Sequence, residues 1–389
     1  MSDIASDLVM LRRALHRIPE LAWKENETSV LLKEHVARWG EIKPIAKTGF
    51  YVDLGPADAK RTLLLRADMD ALPIHEETGL AYASSNVGRM HACGHDGHMA
   101  SLAIAGRLLS VAPPEGVRLR LLFQPSEEGG GGALACIEQG VLDGVDAAFG
   151  IHIWNELPLG TVALTSGGIM AGVVELGIEV QGHGGHGAMP HRTHDPVVAA
   201  AELVMALQTI ASRRIAPVEP VVVTIGSIHG GDAFNVIPDK VSLRGTVRGF
   251  SEAVLGTVEE AVRAIAKGIE IATGTRIEVS WKLSTRPTVN ETRVAAMARQ
   301  ASSRVAGLAT ILTDYRTMAG EDFGEILRVV PGCFALVGSA NAARGLVEPH
   351  HSPRFEFDEA ALELSCDLHR AVAAEFAEQA QPWRGESNK

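Results

Sequence analysis

The sequence predicts an α/β fold in two parts, and three observations carry that expectation. Short runs of Val, Leu and Ile bounded by turn residues, at 61–66, 117–123 and 145–151, alternate with helical patterns such as 98–109. That alternation is the signature of a mostly parallel sheet with helices on both faces. It breaks off in the middle of the chain and resumes near the end, with a helical pattern at 295–305, a strand at 334–337 and a long helix at 358–378. A chain of 389 residues also exceeds the usual size of one hydrophobic core.

The elements follow in order. Residues 1–16 place Ile4, Leu8, Leu11 and Leu15 on one face, with Asp3, Asp7, Arg12 and Arg13 between them. That is an amphipathic helix, not the apolar core of a signal peptide. From 173 to 181, Val174, Leu176, Ile178 and Val180 alternate like a half-buried strand. Asp195-Pro196 then opens a helix, Asp as N-cap and Pro in the first turn, whose stripe runs through Val197, Ala201, Val204 and Ile210. Strands at 221–228 and 241–247, a helix through Val254, Val258, Val262, Ile265 and Ile269, and a strand at 277–281 complete a β-α-β-β-α-β order. That order is ferredoxin-like. It predicts an inserted domain at 173–284 interrupting a main domain of 1–172 and 285–389. The polar tail after Gln379 is expected to be disordered.

Composition narrows the function. The hydrophobic fraction is 46%, charged residues are 21% and the net charge is -11. An acidic balance disfavours nucleic acid and anionic membrane surfaces, which reward Lys and Arg. No apolar run reaches the length of a transmembrane helix. Four cysteines spread over a long chain do not make a disulfide scaffold. The expected setting is reducing and cytoplasmic, and the expected partner a small molecule.

Four dispersed patches carry five residues able to bind a transition metal: Cys93 and His95, Glu128, His152, and a histidine at 350 or 351. Cys93 and His95 stand two apart across Gly94, and in an extended segment both could reach one ion. Thiolate and imidazole suit zinc, manganese or cobalt better than calcium or magnesium. One such pair alone is more often a buried small Cys beside a surface His. His91, Asp96, His98 and the other candidates shift that balance, since Asp often orients a metal-bound His. Glu127 and Glu128 follow a strand as adjacent carboxylates. One could bind metal while the other serves a water, although acids also favour a solvated helix N-terminus. Asp68 and Asp70 follow a strand too, and could orient metal ligands or simply be turn residues.

At this point a family resemblance is carried by Arg66-Ala67-Asp68-Met69-Asp70-Ala71-Leu72-Pro73, Met90-His91-Ala92-Cys93-Gly94-His95-Asp96, Gln124-Pro125-Ser126-Glu127-Glu128 and His351-Ser352-Pro353. Together with 182–190, Phe234-Asn235-Val236-Ile237-Pro238 and Glu321-Asp322-Phe323, these motifs resemble the metallo-amidohydrolases. That family includes hippurate hydrolases, bacterial N-acyl-amino-acid amidohydrolases and auxin-conjugate hydrolases, with aminoacylase and carboxypeptidase G more distant. The resemblance implies a zinc-peptidase-like catalytic domain and an inserted lid and dimerisation domain, in a homodimer or dimer of dimers. It implies two divalent ions, Mn, Zn, Co or Ni, held by Cys93, His95, Glu128, His152 and His351, with Glu127 as general base. It also implies that His186 stabilises the oxyanion in a neighbouring subunit's site and that Asn235 helps hold the substrate carboxylate. The distant relatives have a metal-binding His where this chain has Asp68, which argues against Asp68 or Asp70 as ligand. The leading expectation is hydrolysis of an N-acyl-amino acid. The alternatives are a cysteine hydrolase using Cys93 with His95 as base, and a catalytically silent metal-binding protein.

Overall fold

The computed structural model describes residues 3–379; the tail after Gln379, expected to be disordered, lies outside them. The first part comprises α1 (Ile4–His16), α2 (Asn26–Val36), β1 (Ile42–Ile45), β2 (Gly49–Leu54), β3 (Arg61–Asp68), α3 (His95–Val111), β4 (Val117–Gln124), α4 (Gly132–Glu138), β5 (Ala147–Pro158) and β6 (Thr161–Ala163). After β7 (Gly167–Met170) come β8 (Gly172–Gln181), β9 (Gly185–His186), α5 (Pro196–Leu207), β10 (Val221–His229), β11 (Val236–Ile237), β12 (Lys240–Gly249), α6 (Glu252–Thr273) and β13 (Arg276–Thr285). Then β14 (Thr288–Asn290), α7 (Thr292–Ser302), β15 (Thr310–Leu312), α8 (Phe323–Val329), β16 (Gly332–Ala340) and α9 (Ala360–Glu378) complete the chain. No helix among the described residues is long and apolar enough to cross a membrane.

The main unit is an eight-stranded sheet in the order β1-β2-β4-β3-β5-β16-β6-β15. Its central block β4-β3-β5-β16 is parallel. Antiparallel pairs flank it: β1 with β2, β2 with β4, and β16 with β6. The parallel block explains the unbroken apolar runs, since its strands are buried on both faces. Alternation then sorts the side chains. Leu63, Leu65 and Ala67 of β3, with Phe149, Ile151 and Ile153 of β5, join the core formed with Leu8 and Leu15 of α1, Met99 of α3 and Phe376 of α9. The intervening Arg66 and Gln124 instead reach Asp322, just ahead of α8.

α3 is apolar almost all round and buried along most of its length, because it lies against α1, α2 and α9 as well as the sheet. Gly97 sets how closely its first turn approaches β5. A Cβ there would stand 2.5 Å from Ile153 Cδ1 and 2.8 Å from Phe357 Cζ, an overpacking that costs about 1–3 kcal/mol in typical cores.

The second unit runs from Met170 to Thr288 and takes in Thr317–Glu321. It is somewhat longer than the 173–284 read from the sequence. The added segment is held by backbone pairing, Met170 with Thr317 and the Ala171 N–H with the Ala319 carbonyl, which leaves no periodic trace. The β-α-β-β-α-β order is present as β8-α5-β10-β12-α6-β13, in an antiparallel sheet ordered β10-β12-β8-β13. The Asp195 side chain accepts the N–H groups of Val197 and Val198 above Pro196. α6 is capped by Ser251, which accepts the Val254 N–H, and ends at Gly274 with φ +70°. Val174, Leu176, Ile178 and Val180 are all buried against α5 and α6.

Candidate metal centre

The candidate ligands converge at the C-terminal end of the parallel block, where open α/β sheets gather their sites. Asp68 ends β3, and Asp70 lies two residues beyond. Glu127 and Glu128 stand in the turn after β4. His152 sits inside β5 and not at its end, as the 145–151 reading implied, because Ile153 and Trp154 go on pairing with β16. The expected extended path through Cys93-Gly94-His95 is also corrected. Gly94 adopts φ +84° and His95 is the first residue of α3, so the pair meets through a left-handed turn into a helix.

Two ligand triads share one sulfur. The ligand atoms of Cys93, His95 and His152 lie within 4.8 Å of one another, and so do those of Cys93, Glu128 and His351. Cys93 Sγ is 3.5 Å from His152 Nε2, and His351 Nε2 is 3.2 Å from a Glu128 carboxylate oxygen. Glu127 joins His95 and Glu128 in a third such group.

Carbonyl partners decide which ring nitrogen faces this space. A carbonyl can only accept, so His95 donates Nδ1–H to the Asp70 carbonyl at 2.8 Å. His152 likewise donates Nδ1–H to the Ile153 carbonyl at 2.6 Å. Both rings therefore turn Nε2 toward this space, as metal-binding histidines do when their other nitrogen is held. His350 is the reverse case: its Nε2 donates to the Ile153 carbonyl at 2.9 Å. It stacks on His152, with ring centroids 5.2 Å apart. The choice between His350 and His351 that residue chemistry left open is thus separated by geometry, with His351 turned toward Glu128. His351 has φ +65° and Ser126, before Glu127, has φ +55°. Such conformations concentrate at functional sites. The His351 N–H to the Ala92 carbonyl, 2.8 Å, ties its loop to the Cys93 turn.

The donor set fits a divalent cation. His95 Nε2 is buried without a hydrogen-bond partner, a costly condition unless something binds there. Burial alone would lower the pKa of His95, but Asp68, Asp70 and Glu128 outweigh it and lift it to about 10, so the site draws positive charge. Burial, aided by Glu128 and Glu127, pushes the Cys93 thiol well above its usual value; without a cation it is a poor nucleophile. Burial, with His98 and His350 nearby, holds His152 neutral, the form that ligates.

Each carboxylate oxygen of Asp68 and Asp70 already accepts a hydrogen bond. Asp68 accepts from Arg66 at 2.6 Å and from His98 at 2.7 Å. Asp70 accepts the N–H groups of Glu127 and Glu128, each at 2.9 Å. The next amide back, of Ser126, is taken by buried Glu25 at 2.8 Å. Three consecutive N–H groups around the two glutamates are thus held by carboxylates. Asp322 anchors the same region from below through Gln124 and the Ala133 N–H, and its own N–H points to Glu127 at 3.4 Å. Sequence reasoning missed Glu25. It had Asp322 only through the Glu-Asp-Phe motif.

His186 and Asn235 belong to the second unit. His186 pairs with Val236 across the β9–β11 ladder, and the Gly187 N–H reaches the Asn235 carbonyl at 2.8 Å. The two expected substrate-side residues therefore sit together on one exposed edge, beside a fully exposed Phe234.

The family model described as Peptidase family M20/M25/M40 matches residues 64–375. The chain is 40% identical to an N-acetyl-L-cysteine deacetylase of Bacillus subtilis over 93% of its own length and 86% of the relative's. It is 37% identical to an IAA-amino acid hydrolase of Arabidopsis thaliana, over 96% and 87% respectively. Among solved structures it is similar to a dinuclear metal-binding peptidase of the M20 family from Bacillus subtilis. There the TM-score is 0.84 at 32% identity, covering 96% of this chain and 99% of that one. The sheet, the insertion, the donor set and these matches together place this chain in the M20/M25/M40 peptidase family.

Proposed function

We propose that this protein hydrolyses the amide bond of N-acyl-amino acids, using two divalent ions held by Cys93, His95, Glu128, His152 and His351. The observation that carries the reading is the single Cys93 sulfur common to two ligand triads. One shared thiolate is the economical way to place two ions side by side. The deacetylase and amino-acid-conjugate hydrolase relatives support the substrate class.

When bound, the ions supply a Lewis acid for the amide carbonyl and lower the pKa of water from 15.7 to about 7. The protein's own residues do the rest. Glu127, adjacent to the donor set and fixed through its backbone N–H by Asp70, takes the water proton and delivers it to the leaving nitrogen. Asp70 keeps Glu127 and Glu128 at fixed separation. His186, brought by the second unit of a neighbouring subunit acting as a lid, stabilises the carbonyl oxygen as charge develops. Asn235, on the same edge, holds the substrate carboxylate.

Exhaustive chelation followed by a screen of N-acetyl, N-benzoyl and N-indoleacetyl amino acids tests the proposal. Turnover should vanish with the metal and return with manganese, cobalt or zinc. Full activity in a preparation shown by elemental analysis to be metal-free would end it, and would revive Cys93 as a nucleophile.

A further inference from the structure

His98 lies in the first turn of α3, is fully buried, and stands beside both His95 and His152, with ring centroids at 5.4 and 4.6 Å. With Asp68 and His95 it forms a group spaced to hold an ion. Both its nitrogens are nonetheless already committed. A carboxylate of Asp68 sits 2.7 Å from Nδ1, and that carboxylate is itself paired with Arg66 at 2.6 Å, so Nδ1 carries the proton. The backbone N–H of Ile153 points at Nε2 from 2.9 Å, so Nε2 must offer its lone pair. No lone pair remains for a metal.

We infer that His98 is a positioning residue, which sets the proposed ligand His152 by holding the backbone of the next residue, Ile153. The Ile153 backbone is the hub: its N–H is held by His98, and its carbonyl accepts Nδ1–H from His152 at 2.6 Å and Nε2–H from His350 at 2.9 Å. With the N–H anchored and the torsions of Ile153 restrained by its pairing with Val337 of β16, the carbonyl in the next peptide unit stays turned toward His152 and keeps that ring's Nε2 directed at Cys93 Sγ, 3.5 Å away. The partner that orients one metal-binding histidine is therefore a backbone carbonyl, and a second histidine keeps that carbonyl in place. A buried amide that lost its acceptor would seek another, and the strand could turn its carbonyl away from the ligand.

This inference rests on the proposed two-ion site, and its test separates the two. In His98→Gln the amide oxygen can replace Nε2 as acceptor for Ile153. In His98→Asn the amide nitrogen can replace Nδ1 as donor to Asp68, but nothing reaches Ile153. Full-length chains stripped of metal are titrated with manganese by equilibrium dialysis, and the cobalt-loaded forms are read by absorption spectroscopy. Wild type failing to take up two equivalents would count against the two-ion reading itself. Given two, His98→Gln should hold both with affinity within about threefold and keep the cobalt spectrum. His98→Asn should weaken one equivalent by about 10–100-fold, the usual scale for loss of a ligand's supporting partner, and shift the spectrum. Equal retention or equal loss in the two variants overturns the inference. If His98→Asn does not fold, His98→Gln still decides: wild-type affinity supports it, and a tenfold or greater loss overturns it.

Discussion

The carboxylate of Asp70 accepts the backbone N–H of Glu127 at 2.9 Å, 57 residues along the chain, while its second oxygen accepts that of Glu128 at the same distance. Its carbonyl meanwhile fixes His95. One residue thus sets the proposed general base and two of the proposed metal ligands. Asp70→Asn leaves one oxygen and puts an NH2 against the other amide, a donor facing a donor. Metal affinity should fall about 10–100-fold and turnover should fall even at saturating metal. An Asp70→Asn enzyme with wild-type affinity and turnover would show the clamp to be incidental.

The two adjacent glutamates should separate cleanly. Glu127→Gln should keep both metal equivalents and lose roughly a hundred- to ten-thousand-fold in turnover, the size of a general acid-base contribution. Glu128→Gln should bind metal more weakly as well. Metal content by elemental analysis beside steady-state rates distinguishes them, and near-normal turnover in Glu127→Gln would reverse the assignment.

His186 provides a test of action between subunits. In a symmetric dimer, co-refolding Glu127→Gln with His186→Ala at equal amounts makes half the dimers mixed. Each mixed dimer holds one intact site of two if His186 serves its neighbour. Recovery should reach about one quarter of wild-type activity. With subunit exchange confirmed by mass, activity that stays at the level of the single mutants would place His186 in its own chain's site.

A pH dependence of stability resides at the C-terminal end of α1. Burial would lower the pKa of His16, but contact with Asp96 at 2.8 Å and Glu76 at 3.3 Å raises it from 6.5 to about 9. A raised folded-state pKa stabilises fully below the unfolded value. The contribution fades as pH climbs from 6.5 toward 9 and is gone above it. The melting temperature of wild type should therefore exceed that of His16→Gln most at about pH 6, with the gap closing by about pH 9.5. A gap independent of pH would mean that His16 contributes by packing alone.

Much of this protein is written in local chemistry. The unbroken apolar runs marked the parallel strands, period-2 alternation marked β8, and Asp195-Pro196 marked the start of α5 through its own cap. The same local motifs brought forward Cys93, His95, Glu127, Glu128 and His152, because each follows or interrupts a readable element, while His350 and His351 stayed unresolved until the family resemblance favoured His351. The rest depended on partners distant along the chain. That His95 and His152 offer Nε2 while His350 does not was decided by which carbonyl faces each ring. That the oxygens of Asp68 and Asp70 hold Arg66, His98 and two backbone amides was decided by the fold, since all of these but Arg66 lie far from them in sequence. A side chain's type names the bonds it can make. Only the folded chain determines which of its lone pairs are already taken, and the metal centre is built from those left over.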